Sequence, residues 1–231
     1  MSVMGKQRRR RRQPGRIHLR HPSGLEFVVP SLEEVSAASE PFLADPTWKQ
    51  ARRLVVPVFE RLRPFPSIVP PSATMILPPG VSVGFGVDVG PAFMRISELV
   101  LERWGVGLDE LGRVALRNLR DRVRRAAPHR VVEDAIDGVP IAAFQSNEGW
   151  ASTLVLLADA LEAVFGPGPR LFVAPCRDLL IGLPADVDLG LATTLSEAFE
   201  AADPNALCLE GFLLADGRVS CTPLAREPIV A

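Results

Sequence analysis

Cys176-Arg177-Asp178 is the stretch whose residue types come closest to reactive chemistry. A thiol beside a guanidinium can be held as the thiolate, its nucleophilic form. A neighbouring carboxylate can move a proton or orient a base. The three residues interrupt two apolar runs, Arg170 to Ala174 and Leu179 to Leu183. That setting favours a hairpin tip, in which Asp178 bonds its own nearby backbone and Arg177 keeps its charge in water. At the end of an apolar strand, Cys176 reads as an inert buried thiol.

The remaining constellations are thinner. His18 and His21 lie three apart with no third ligand nearby, and His129 follows the end of a helix pattern, where the macrodipole favours a cation. Asp186 and Asp188 have the spacing of a metal pair, but Asp188 is better read as a helix N-cap. Gly84, Gly86 and Gly90 superficially spell a dinucleotide fingerprint. They lie inside a strand pattern, whereas that fingerprint opens a helix. No G-x-S-x-G, H-E-x-x-H or P-loop occurs, so no catalytic residue, cofactor or metal is expected. The three cysteines form no C-x-x-C pair. With a turn at Asp216-Gly217, Phe212 faces Cys221, so Cys208 and Cys221 fall out of register and all three thiols are expected to be reduced.

Two cationic features could meet an anionic partner. Arg113, Arg117, Arg120 and Arg124 form one stripe of a helix, set round the cylinder from an apolar stripe of Leu111, Ala115, Leu119 and Val123. Such a stripe either contacts phosphate or an acidic partner, or is a solvated face. Asn118 borders the apolar stripe and is expected to be half-buried, hydrogen-bonded to a neighbouring loop. Arg8, Arg9, Arg10, Arg11 and Arg12 form a run able to give weak, salt-sensitive contact with nucleic acid or an anionic surface through residues 6–16. No aromatic residue interleaves the run, so base stacking is unsupported.

The chain of 231 residues carries 26 Lys and Arg against 27 Asp and Glu. Eight of the cations and none of the acids lie in residues 1–25, which leaves −9 on the remainder. The arginine-rich start has no apolar segment after it, and no run reaches the roughly 18–20 apolar residues that span a bilayer. Neither a secretory signal nor a transmembrane segment is expected, and the cytoplasm is the expected location.

The elements that must position these residues follow from periodicity. Residues 1–15 are expected to be a disordered basic tail. Residues 16–63 read as a hairpin around His-Pro-Ser-Gly, a short helix at 32–39 opened by a Ser31/Glu34 capping box, and a strand at 53–60 demoted to an edge by Pro57. Residues 64–80, with six prolines, read as an extended connector. A core domain is expected over 81–231. It opens on a strand with Val81, Val83, Phe85, Val87 and Val89 on one face and a nearly bare opposite face that lets something pack closely. Helix patterns then begin near 109, 150 and 191, about 41 residues apart, each followed by two strand-like runs. The runs are 130–135 with 139–145, 170–174 with 179–183, and 207–215 with 218–222. Asp137-Gly138 and Asp216-Gly217 mark type I′ turns. The expected fold is α+β, a mostly antiparallel sheet of successive helix–hairpin units with helices on one face.

Three stretches carry a family resemblance: Phe93-Met94-Arg95-Ile96 with Trp104-Gly105; Glu110-Leu111 with Ala115-Leu116-Arg117-Asn118-Leu119; and Pro175-Cys176-Arg177-Asp178-Leu179-Leu180. Over roughly residues 85–220 they resemble the YtpQ-like family of bacterial proteins, a domain of unknown function. Cys176 stands where that family has asparagine, and the proline-rich and arginine-rich regions are foreign to it. The resemblance implies an intracellular bacterial protein and supplies no activity or catalytic residue. The residues themselves point first to a non-enzymatic module that binds a protein partner. The alternatives are an enzyme of unrecognised type with a site near Cys176-Arg177-Asp178, and a nucleic-acid-associated protein using the arginine-rich arm.

Overall fold

The computed structural model describes residues 17–20, 26–29, 33, 37, 46–59, 72–90, 93–126, 131–146, 148–203 and 206–226, with 17–20 and 26–29 described by backbone alone. β1 (Ile17–Arg20) and β2 (Glu26–Val29) pair antiparallel, as the turn residues between them predict. The capping box at Ser31 and Glu34 falls outside the described residues.

A four-stranded antiparallel sheet comes next. Its central strand, β5 (Val81–Asp88), pairs on one side with β3 (Val55–Val58) and on the other with β4 (Thr74–Leu77) and β6 (Phe93–Arg95). β3 lies at an edge, where the missing N–H of Pro57 costs no ladder bond. β4 corrects the expected connector at 64–80. Its four residues, Thr-Met-Ile-Leu, find a partner in β5 despite the prolines around them. The sheet therefore straddles the expected boundary between residues 63 and 81. Gly86 accounts for the bare face of β5. A Cβ there would sit 3.2 Å from Phe93 Cβ and 3.4 Å from Val58 Cγ2, so the flanking strands use the space.

α1 (Trp48–Ala51) precedes β3, and α2 (Glu98–Trp104) leads into α3 (Leu108–Ala126). α3 has Asp109 and Glu110 in its first turn and Arg124 and Arg125 in its last, the arrangement that complements the helix dipole. Its apolar stripe is shared between two sheets. Leu111 and Ala115 join the cluster of Phe85, Val87 and Val55, while Leu119 and Val123 join that of Phe144, Phe172 and Phe212.

The second sheet has six antiparallel strands in the order β12-β11-β9-β10-β8-β7. They are β7 (Val131–Ile136), β8 (Val139–Gln145), β9 (Arg170–Cys176), β10 (Leu179–Pro184), β11 (Gly211–Ala215) and β12 (Arg218–Thr222). Asp137 (φ 51°) and Gly138 (φ 80°) turn β7 into β8, and Asp216 (φ 50°) and Gly217 (φ 68°) turn β11 into β12. Positive φ at both central residues is what the Asp-Gly pairs predict. Phe212 does face Cys221, and all three cysteines are free thiols.

Helices cover both faces of this sheet, not one. Leu171, Val173, Ile181 and Leu183 pack against Ala192, Leu195 and Phe199 of α5 (Leu189–Ala202). Their strand neighbours Phe172 and Leu180 point the other way, into a cluster with α3 and α4 (Ala158–Phe165). Strands apolar on both sides need cover on both. Asp188 caps α5, its Oδ1 accepting from Leu191 N at 3.0 Å, as expected. The helix expected over 150–165 is broken. A buried 3₁₀ helix, Ala151–Leu156, stops at Leu157 (φ −134°) before α4 begins. The Ser152 amide donates outside the helix, to Arg177 O at 3.1 Å, and Thr153 N bonds back three residues, to Trp150 O at 3.1 Å. The run expected as strand over 207–215 is strand only from Gly211.

The last described segment folds back onto α5. Arg226 donates from both terminal nitrogens to Glu200, each at 2.8 Å, and also to Leu209 O at 2.9 Å. These hydrogen bonds to Glu200 raise the guanidinium above its ordinary value. No helix among the described residues is long and apolar enough to cross a membrane.

Candidate functional site

The turn between β9 and β10 separates the three residues that adjacency had grouped. Cys176 is buried, bridges Ala206 across an antiparallel pair and belongs to the apolar cluster under α5. Burial, followed by the nearby charge of Asp203, pushes its thiol far above the ordinary value of 9.0. The arginine beside it does not make a thiolate, and the nucleophile that an enzyme would need at this turn is protonated and enclosed.

Asp178 faces the segment that leaves β8. The pairing of Leu179 with Gln145 sets it beside Ser146. One carboxylate oxygen accepts three donors, Ser146 Oγ, Gly149 N at 2.9 Å and Glu148 N at 3.2 Å. The Ser146 hydroxyl in turn accepts from Trp150 N at 3.2 Å, and Trp150 Nε1 donates to Glu148 Oε2 at 3.0 Å. Asp178 thus stabilises a turn, but not its own. Its donors come from 29 to 32 residues earlier in the chain. Arg177 is half-buried and its carbonyl holds the 3₁₀ helix through Ser152 N.

Cys208 and Cys221 are exposed. In native conditions these two are expected to react with a thiol reagent such as DTNB, and Cys176 only after denaturation. A pH effect goes with this. Above pH 9.0 the unfolded chain releases the Cys176 proton that the folded chain keeps, so stability falls as pH rises from there. The slope is at most about 1.4 kcal/mol per pH unit. Urea melts at increasing pH should lose this slope in Cys176→Ala. A smaller one of the same sign remains from Cys221, whose thiol is also raised, chiefly by burial.

The arginine stripe lies exposed along α3 as expected, and the structure divides it. Arg120 pairs with Asp159 of α4 at 3.4 Å and Arg124 with Asp121 at 3.5 Å, both on the surface. Exposed pairs of this kind contribute about 0–1 kcal/mol. Arg113 and Arg117 instead line a cavity of about 330 Å³ between α3 and α1, with Trp48, Arg52, Glu110 and Val114. A second cavity of about 750 Å³ shares Arg52 and is lined by Thr47, Lys49, Gln50 and Arg53.

The packing of α1 on α3 explains why these cations converge. Asn118 Nδ2 donates to Arg52 O at 2.9 Å and Val55 O at 2.8 Å, the loop contact expected of it. Trp48 and Trp104 lie 5.5 Å apart, inclined at 37°. Trp48 Nε1 donates to Glu110 Oε1 at 3.3 Å, and Trp104 Nε1 to Pro46 O at 2.6 Å. Lys49, Arg52 and Arg53 were not singled out from the sequence. The signal was present in Trp48-Lys49-Gln50-Ala51-Arg52-Arg53, three cations within six residues.

A second missed residue is Arg122, which pairs with Asp88 of β5, the two side chains only 10% and 12% exposed. Its position was the clue. It follows Asn118 by four residues and Ala115 by seven, on the flank that α3 buries. The run Arg8–Arg12, His21 and His129 lie outside the described residues, and His18 is described by its backbone alone. Among the described residues no three of His, Cys, Asp and Glu gather as a metal site would require. No protein-family profile, curated protein or solved structure matches this chain, so none of them supports the expected resemblance to the YtpQ-like family.

Proposed function

We propose that this protein is a non-enzymatic interaction module that engages an anionic protein partner through the face where α1 meets α3. The arginine run at 8–12 adds nonspecific attraction. One observation carries the reading: Lys49, Arg52 and Arg53 of the α1 region and Arg113 and Arg117 of α3 line adjoining cavities. Among the described residues no acidic side chain forms an ion pair with any of the five. Like charges gathered on one face focus a positive potential that steers an anionic partner and raises its rate of encounter. The contact surface proposed is the arginine stripe and not the turn between β9 and β10, where the carboxylate of Asp178 is already engaged.

The test is a pull-down from the native host with the full chain, at about 50 and about 300 mM salt, a range over which the screening length shortens about 2.5-fold. A stoichiometric partner retained at the lower salt and lost with Arg113→Glu/Arg117→Glu supports the reading. Capture that ignores both salt and the charge reversal refutes it.

A further inference from the structure

We infer that the α1–α3 face takes an extended acidic polypeptide and discriminates against nucleic acid, with Glu110 as the residue that decides between them. This rests on the interaction reading above. A surface that tracks a nucleic-acid strand is lined by cations and aromatic planes, because the backbone it follows is uniformly anionic. The cavity between α1 and α3 departs from that pattern. Glu110 is exposed within it, beside Arg113 and Arg117 and bonded through one oxygen to Trp48 Nε1. Either occupant brings negative charge near this carboxylate, but a DNA backbone brings no hydrogen-bond donor to offset it. A polypeptide brings both halves of the match, since its carboxylates meet the arginines and its main-chain N–H groups give Glu110 a donor.

The spacing fixes the conformation of the occupant. Arg113 and Arg117 are four residues apart on a helix, about 6 Å along its axis. Side chains on one side of an extended strand recur every ~6.6 Å. Acids at alternate positions of an extended segment therefore meet successive arginines. The main-chain amides of the same segment are free to reach Glu110.

Trp48 makes the test local. It lines the cavity and bonds Glu110, so its emission reports occupancy there and not at the arginine arm. The full chain is titrated at about 150 mM salt with a peptide of about 12 residues alternating Glu and Ser, and separately with a thymidine oligonucleotide of similar length. Trp48→Phe assigns the signal. Wild type is expected to bind the peptide at least ~10-fold more tightly than the oligonucleotide, and Glu110→Gln to weaken the first, strengthen the second and narrow the ratio several-fold. Arg113→Glu/Arg117→Glu should lose both ligands, with circular dichroism confirming the fold. An oligonucleotide preference in wild type, or a ratio unmoved by Glu110→Gln, overturns the inference and assigns the face to nucleic acid. Binding of neither ligand overturns the interaction reading itself.

Discussion

Replacing Asp178 by alanine is expected to destabilise the fold by about 2–4 kcal/mol. The substitution removes one acceptor and leaves three donors behind, Ser146 Oγ, Glu148 N and Gly149 N. Each hydrogen bond to a charged group contributes about 1.5–3 kcal/mol, but the three share an oxygen and do not add. Water reaches Glu148 and part of Gly149, whereas Ser146 is fully buried. The segment cannot relax freely. Gly149 has a φ of +73°, and the Phe93 ring stands where its Cβ would be, with Cε2 at 2.7 Å. Loss of the acceptor therefore loosens the contact between β6 and the end of β8 as well. Asp178→Asn keeps an acceptor oxygen and should cost only about 1 kcal/mol. Urea melts of the two variants check this, and an alanine variant within about 0.5 kcal/mol of wild type would falsify the bracing role. Binding through the α1–α3 face should survive in the folded fraction of either variant.

Arg122→Ala should cost about 3 kcal/mol, for a different reason. The lost attraction is secondary. The larger effect is that the carboxylate of Asp88, only 12% exposed, loses its counter-charge and is left with the Gly90 amide, which donates to it at 2.7 Å. A nearly buried ion without its counter-charge is costly, whereas two apolar groups in the same place are tolerated. The double variant Arg122→Ala/Asp88→Ala is accordingly expected to be at least ~1 kcal/mol more stable than the two single effects summed. A double-mutant cycle by thermal or urea denaturation measures this directly. Additive single effects would mean that the pair contributes no coupling.

The parts of this fold that could be read from the sequence are those written locally. The two Asp-Gly turns, the alternation of β5, the cap at Asp188 and the length of α3 each depend on residues within a few positions of one another. What could not be read depends on which distant strands meet. Asp178 looks like an ordinary turn residue until β10 is placed beside β8, which sets it against Ser146. β4 was hidden because Pro70, Pro71, Pro78 and Pro79 flank it, and four residues are too short for periodicity to register. The 3₁₀ helix was taken for α-helix because Ala151 to Val155 are all buried, so no polar face exposes its period. The candidate site was half legible for the same reason. Arg113 and Arg117 announce themselves by spacing, but Lys49, Arg52 and Arg53 join them only through the long-range bonds of Asn118 and the tilted indole pair.

Because α3 divides its apolar flank between two sheets, the order of synthesis matters. When the helix leaves the ribosome, the strands that receive Leu111 and Ala115 have already been made. Leu119 and Val123 share their cluster with Phe59, Leu77 and Val83, also already made, but most of it comes from residues still to be translated, the latest of them Phe212 and Leu214. Until then the far end of α3 carries greasy side chains with only part of their cover in place. A nascent chain stalled with α3 just clear of the exit tunnel is thus the stage at which a chaperone has most to hold.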